Sequence, residues 1–159
     1  MTEIKLVTHF RAPAERVFDL SLSIDLHQRS TGKTGERAVA GRTSGLIGLG
    51  ETVTWRARHL GVWQHLTTRI SAYDRPRHFA DEQVRGAFAW FRHDHWFEPD
   101  GEGGCVVRES FRFAAPLGPL GWIAERVFLR RYMTRFLRER NEVIRQVAES
   151  DEWRKYLLG

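Results

Sequence analysis

Cysteine is nearly absent from this chain of 159 residues. Cys105 stands alone, so no internal disulfide is available and a reducing compartment fits. It follows Gly103-Gly104 with no activating neighbour and reads as a small strand residue. Long apolar runs are missing too: nothing approaches the ~20 residues needed to span a bilayer, and no apolar leader segment opens the chain. A cytoplasmic protein is expected. The stretch Gly45-Leu46-Ile47-Gly48-Leu49-Gly50 lacks the GxGxxG order, and no Lys-Ser/Thr follows it, which argues against a nucleotide site. Prolines stop at Pro119, and after Gly121 neither Gly nor Pro recurs until Gly159.

That breaker-free tail, rich in Arg, Glu, Leu, Ala and Ile, predicts a long C-terminal helix from Pro119 to Tyr156. Upstream the apolar period is two. Strands are predicted over 3–10, 37–40, 51–60, 62–73, 77–84, 88–97 and 105–113, separated by turn residues such as Gly61 and Asp74-Arg75-Pro76. The short connections make them largely antiparallel. Ala12-Pro13-Ala14-Glu15 starts a short helix with Val17 and Phe18 on its buried side, and a second short helix follows over 23–28. The fold class is therefore α+β: a seven-stranded sheet covered by one long helix, in a single domain over 1–159.

The net charge is +5, and the stretch 126–145 accounts for all of it, with seven Arg against Glu139 and Glu142. A solvated helix face with i,i+4 pairs explains this pattern. Nucleic acid is a poor fit, because no RNA-binding motif accompanies the charge; transient contact with an anionic membrane remains open. At about 100° per residue the tail carries two opposed apolar stripes. Leu120, Ile123, Ala124 and Val127 form one; Leu129, Tyr132, Met133, Phe136, Val143, Ile144 and Val147 form the other. A straight helix cannot bury both against one sheet. Either the helix breaks near Phe128–Arg131, or its first turns pack elsewhere, on a lid loop, a second subunit or a membrane. Residues 120–127 and a mobile Gly45–Gly50 loop then make a gate, and Phe136 with Val143–Val147 a pocket roof.

Strand alternation sets the inner face. Val53, Trp55, Ala57 and His59 share it with Gln64, Leu66, Thr68 and Ile70; Phe91, His93, His95 and Phe97 share it with Cys105, Val107, Glu109, Phe111 and Phe113. Six polar groups thus lie among aromatics: His59, Gln64, Thr68, His93, His95 and Glu109. Each would cost roughly 1–3 kcal/mol if buried without a partner, so a cavity holding water or a ligand is the better account. The candidate ligand-binding set is Trp55, His59, Gln64, Leu66, Thr68, Phe79, Phe91, His93, His95, Glu109, Phe111, Phe136 and Arg140, the last in need of a carboxylate or water. His93, His95 and Glu109 are the acid–base candidates. Two His at i,i+2 is the spacing of any strand with two His, so no metal and no cofactor are expected. Trp63, Trp90 and Trp96 fall on the opposite face, where sheet packing or a homodimer contact would use them.

Several segments in this order resemble a known family: Arg11-Ala-Pro-Ala-Glu-Arg-Val-Phe-Asp19, Ile70-Ser-Ala-Tyr-Asp-Arg-Pro-Arg-His-Phe79, Phe91-Arg-His-Asp-His-Trp-Phe-Glu-Pro99, and Pro116-Leu-Gly-Pro-Leu-Gly121 leading into Phe128-Leu-Arg-Arg-Tyr-Met133. Together they resemble the START-like helix-grip superfamily (SRPBCC), including its polyketide cyclase/dehydrase and lipid-transport group. The resemblance covers essentially the whole chain. It implies a curved antiparallel sheet wrapped around the last helix, with a hydrophobic cavity for lipids, polyketides or other apolar molecules. It transfers no catalytic residue, because members range from carriers to cyclases. Carriage of an apolar small molecule is the leading expectation, and a metal-free cyclase/dehydratase the alternative.

Overall fold

The computed structural model describes all of residues 1–159. Seven strands form one antiparallel sheet: β1 (Thr2–Phe10), β2 (Arg37–Gly41), β3 (Thr52–His59), β4 (Val62–Asp74), β5 (His78–Arg85), β6 (Trp90–Pro99) and β7 (Cys105–Ala114). Their order is β1-β7-β6-β5-β4-β3-β2, so β2 to β7 form a meander and β1 crosses to pair with the last strand. Ile4 lies opposite Phe111 and Leu6 opposite Glu109. Register shifts at Ala38/Ala40 and Ile70/Ala72 interrupt the ladders, and such bulges bend a sheet. The curved sheet wraps the C-terminal helix.

Two short helices follow β1: α1 (Ala14–Ser21), entered through Pro13, and α2 (Ile24–Ser30), whose Leu26 N–H donates to the Ser23 hydroxyl at 3.1 Å. Phe18 of α1 is fully buried and meets Tyr73, Phe79 and Phe97 edge-on at 5.4, 5.5 and 5.1 Å. Truncating such a ring costs about 3–5 kcal/mol.

The tail begins as α3 (Gly118–Ala124), passes through a π-helical turn at Glu125–Leu129, and continues as α4 (Arg130–Ala148). The helix is not broken near Phe128–Arg131: Ala124, Glu125, Leu129 and Arg130 keep right-handed helical dihedrals, and the chain passes through as one π-helical turn. The two stripes part here: Met133, Leu137, Asn141, Ile144 and Val147 face the sheet, while Leu120, Ile123 and Val127 face outward. The helix does not reach Tyr156. It stops at Ala148, the Glu152 N–H donates to Ser150 Oγ at 3.2 Å, and a separate α5 (Trp153–Leu157) follows. Ser and Asp favour such turns over helix interiors.

The loop over 41–50 is also different from expectation. Ile47 N–H donates to Leu22 O at 3.0 Å, Ile24 N–H to Gly45 O at 2.9 Å, and Gly45 N–H to Asp25 at 2.9 Å, with Ile47 buried. These bonds pin the loop into the corner between α1 and α2, and it is no mobile gate.

The core has two apolar clusters. One gathers around α1, α2 and the end of α4; the other joins Ile4, Leu6, Phe91, Phe111, Met133 and Leu137, with Phe113. Polar residues separate them on three elements: His93 and His95 between Phe91 and Phe97, Glu109 between Val107 and Phe111, and Asn141 between Leu137 and Ile144.

Candidate functional site

An apolar cavity of about 210 Å³ lies between the β3–β4 hairpin and the start of α4. Trp55, Ala57 and Leu66 line it from the sheet, and Tyr132, Met133 and Phe136 from the helix; Ala115, Pro116 and Leu129 close one end. Its polar members are Glu36, His59, Gln64 and the Tyr132 hydroxyl. The hydroxyl meets His59 Nδ1 at 2.6 Å. Burial pushes the His59 pKa down against the pull of Glu36, and burial with Glu36 pushes the Tyr132 phenol up. This pair is accordingly neutral and mutually satisfied.

Deeper inside, Glu109 is the hub of the polar layer. Its Oε1 accepts from Arg140 Nη2 at 2.6 Å and lies 2.9 Å from His93 Nε2 and 3.4 Å from His95 Nδ1; its Oε2 accepts from Asn141 Nδ2. Asn141 Nδ2 also reaches Thr8 Oγ1 at 3.4 Å. On its other side His95 Nε2 lies 3.3 Å from Asp81 Oδ1. Burial alone would raise the Glu109 carboxyl, but Arg140, His93 and His95 hold it well below the usual carboxylate range. Asp81 is likewise held low against burial, by His95, His93 and Arg140. Burial and the neighbouring His95 push His93 down to about 4, whereas for His95 burial is outweighed by Asp81 and Glu109, and its pKa rises. The two rings, 3.8 Å apart, therefore divide the roles: His93 neutral, His95 drawn toward the imidazolium form.

A second void of about 70 Å³ borders this layer, lined by Thr68, Phe79, Asp81, His95, Arg140 and His27 among others. There His95 and Asp81, already paired with each other, border a space large enough for a few atoms, a placement that suits polarising a carbonyl or relaying a proton. Asp81, His93 and His95 also place potential ligand atoms within 4.8 Å of one another. The charges of Asp81 and Glu109 are already met by Arg140 and His95, however, and a cation would have to displace the His95 proton beside a guanidinium. The set reads as a hydrogen-bond network rather than a metal centre.

Trp55, His59, Gln64, Leu66 and Phe136 of the expected ligand-binding set line the larger cavity. Thr68, Phe79, His95 and Arg140 line the smaller one. His93 and Glu109 are buried in the layer between the apolar clusters. Phe91 and Phe111 line neither void: Met133 and Leu137 of α4 descend onto β6 and β7 and fill the space, so the cavity opens over β3 and β4 instead. Val143 and Val147 do not roof it either; Val147 is fully buried in the main core. Sequence reasoning missed Asp81, which the alternation from Phe79 would have found, and Asn141, whose polar side chain breaks the apolar stripe it belongs to. It also missed Glu36, His27 and the site role of Tyr132 and Met133.

A seven-stranded sheet of this order gripping a C-terminal helix over an internal cavity defines the START-like helix-grip class. Residues 1–149 match the family described as Polyketide cyclase / dehydrase and lipid transport, and the chain belongs to that family. Among solved structures it is similar to TTHA0849 of Thermus thermophilus, at 16% identity and a TM-score of 0.73 over 91% of this chain and 95% of that one. Major latex-like protein 151 of Panax ginseng is similar at 16% identity and a TM-score of 0.69, covering 94% and 98%. A START superfamily protein of Mycobacterium smegmatis is similar at 11% identity and a TM-score of 0.69, covering 91% and 97%. At these identities the likeness is one of fold. No curated protein matches the sequence. No helix is long and apolar enough to cross a membrane.

Proposed function

We propose that this protein binds and carries a small hydrophobic molecule in the cavity between β3–β4 and α4. The observation that carries the reading is the partly enclosed, largely apolar void of about 210 Å³. A void of about 150 Å³ lined by aliphatic and aromatic groups stays dry and takes benzene, whereas pockets for drug-sized ligands run from about 300 Å³ upward. One or two fused rings, or a short branched chain, fit this scale. The lipid-transport part of the family description agrees with that chemistry. Native mass spectrometry of gently purified protein, before and after addition of naphthalene-sized aromatics, tests it. A saturable one-to-one adduct is expected; failure of every such compound to bind would remove the reading.

A second reading rests on a separate observation, the Asp81–His95–Glu109 alignment at the smaller void. In a dehydratase-type reaction His95 would give a proton to a departing hydroxyl or an enolising carbonyl, and Asp81 would accept one from carbon. His95→Gln would then abolish turnover of a hydroxyketone substrate with binding retained. Turnover unchanged by His95→Gln would end it.

A further inference from the structure

Glu36 is 6% exposed and lines the apolar cavity, yet its Oε2 has no hydrogen-bond partner. His27 Nε2 lies 3.4 Å away, within ion-pair reach but out of line for a hydrogen bond, and is itself unpartnered. The imidazole packs against Trp55, with ring centres 4.2 Å apart and planes tilted by 33°, and this contact resists a turn that would correct it. Buried polar atoms are almost always paired, so two orphans side by side, Glu36 on the wall of the apolar cavity and His27 on that of the smaller void, with Trp55 common to both, call for a group from outside the chain. The other polar groups in the cavity do not supply it, since His59 and Tyr132 already satisfy each other.

We infer that Glu36 and His27, where the apolar cavity meets the smaller void, form the polar end of the ligand site and read a single hydroxyl, phenolic or alcoholic, on an otherwise apolar ligand. A hydroxyl can donate to Glu36 Oε2 while its oxygen accepts from His27 Nε2, satisfying both atoms at once. An ammonium can only donate and leaves His27 unpaired; a carboxylate would be repelled by Glu36. The inference rests on the apolar-cavity reading and adds to it the chemistry of the ligand's one polar group.

The probes are 2-naphthol and 2-methylnaphthalene, nearly equal in shape, of which the first alone carries a hydroxyl. By calorimetric titration the wild-type protein is expected to prefer 2-naphthol by about tenfold or more, the penalty for leaving a built polar site unpaired. Glu36→Leu is expected to lose that preference while still binding 2-methylnaphthalene. Equal wild-type affinity for the two probes, or a preference that survives Glu36→Leu, overturns the assignment and leaves the cavity reading standing. Binding of neither probe overturns both. The wild-type comparison decides the matter even if the variant does not fold.

A different observation carries a second inference. Leu117, Leu120, Trp122, Ile123, Val127 and Phe128, from the residue that precedes α3 through the π-helical turn, are 77, 70, 51, 49, 71 and 44% exposed. The segment is clamped from beneath. Gly121 sits so close to Pro116 O that an added Cβ would be 1.9 Å from it, and Glu125 accepts from Thr2 Oγ1 at 2.7 Å and Ala115 N–H at 3.2 Å. Leu117 is held at φ 72°, a left-handed conformation leucine rarely adopts. The apolar side is thereby fixed outward. Exposed Arg126, Arg130, Arg131 and Arg138 flank it without a carboxylate partner, Arg126 stacking on Trp122 at 4.2 Å.

We propose that this face docks on anionic lipid surfaces. Apolar and aromatic side chains ringed by arginine are what an acidic headgroup layer accepts, and two copies meeting through the face would oppose their own charges. Ala115, Pro116 and Leu129, which close the cavity, adjoin it, so an apolar ligand could pass between cavity and bilayer with little exposure to water. Cosedimentation with phosphatidylserine-rich vesicles should show binding that weakens with salt and is absent with phosphatidylcholine alone. Leu120→Asp with Val127→Asp should lower the partition about tenfold or more with an unchanged melting temperature, as both residues are exposed. No binding to the acidic vesicles overturns the proposal. So does a wild-type dimer in sedimentation equilibrium that the double variant abolishes.

Discussion

The neutral, deeply buried His93 makes a quantitative prediction. Its ring is packed 3.8 Å from His95 and 5.2 Å from Phe111, and its pKa falls from 6.5 to about 4. Between those values the unfolded chain takes up a proton that the native protein refuses, so native stability must fall as the pH falls through this window. From about pH 6.5 to about pH 4.5 the difference integrates to about 2 kcal/mol, a large share of a typical 5–15 kcal/mol. His93→Gln keeps a donor for Glu109 and removes the titration. Urea unfolding across this range should therefore give a variant profile flatter than the wild type by about 2 kcal/mol. Parallel profiles would refute the argument and mean that the ring is solvated or charged in the fold.

His95 works in the other direction: with its folded pKa raised, the stability it contributes is present below the ordinary histidine value and drains away as the pH climbs through the folded one. His95→Gln should remove that alkaline decline, and an unchanged decline would show that His95 is not its source. Glu109→Leu strands Arg140 and should cost about 3–5 kcal/mol in urea unfolding; a loss under about 1 kcal/mol would show that Arg140 escapes to solvent. The Cys105 thiol is buried, and burial with Asp100 pushes its pKa up to about 11, so thiol reagents at neutral pH should label it only after unfolding. Rapid labelling of native protein would contradict its placement.

The strands were legible because alternation acts at short range, and their inward faces came out correctly, down to His93, His95 and Glu109 on neighbouring strands. The pair His95↔Glu109 follows from register alone. That the first turns of the tail pack away from the sheet was legible because Leu120 and Phe136 cannot occupy one face; the π-helical turn that joins the two parts was not. What stayed hidden depends on volume and on distant elements meeting. Phe91 and Phe111 have the right orientation, yet whether a cavity or a helix side chain lies above them is decided by Met133 and Leu137. Glu36 sits at the end of an irregular stretch with no period to read, His27 lies on the short helix α2, and only the packing of α2 beside β2 brings them together.

The most direct test of apolar carriage fills the void from within. Ala57 is 4% exposed and lines the cavity, so the ring of Ala57→Phe would take up ligand space without disturbing the surface. Titration with 2-naphthol should show the affinity of Ala57→Phe about tenfold or more below wild type, with a melting temperature equal or higher because a void has been filled. Undiminished binding by a stably folded Ala57→Phe protein would place the ligand elsewhere and contradict the account.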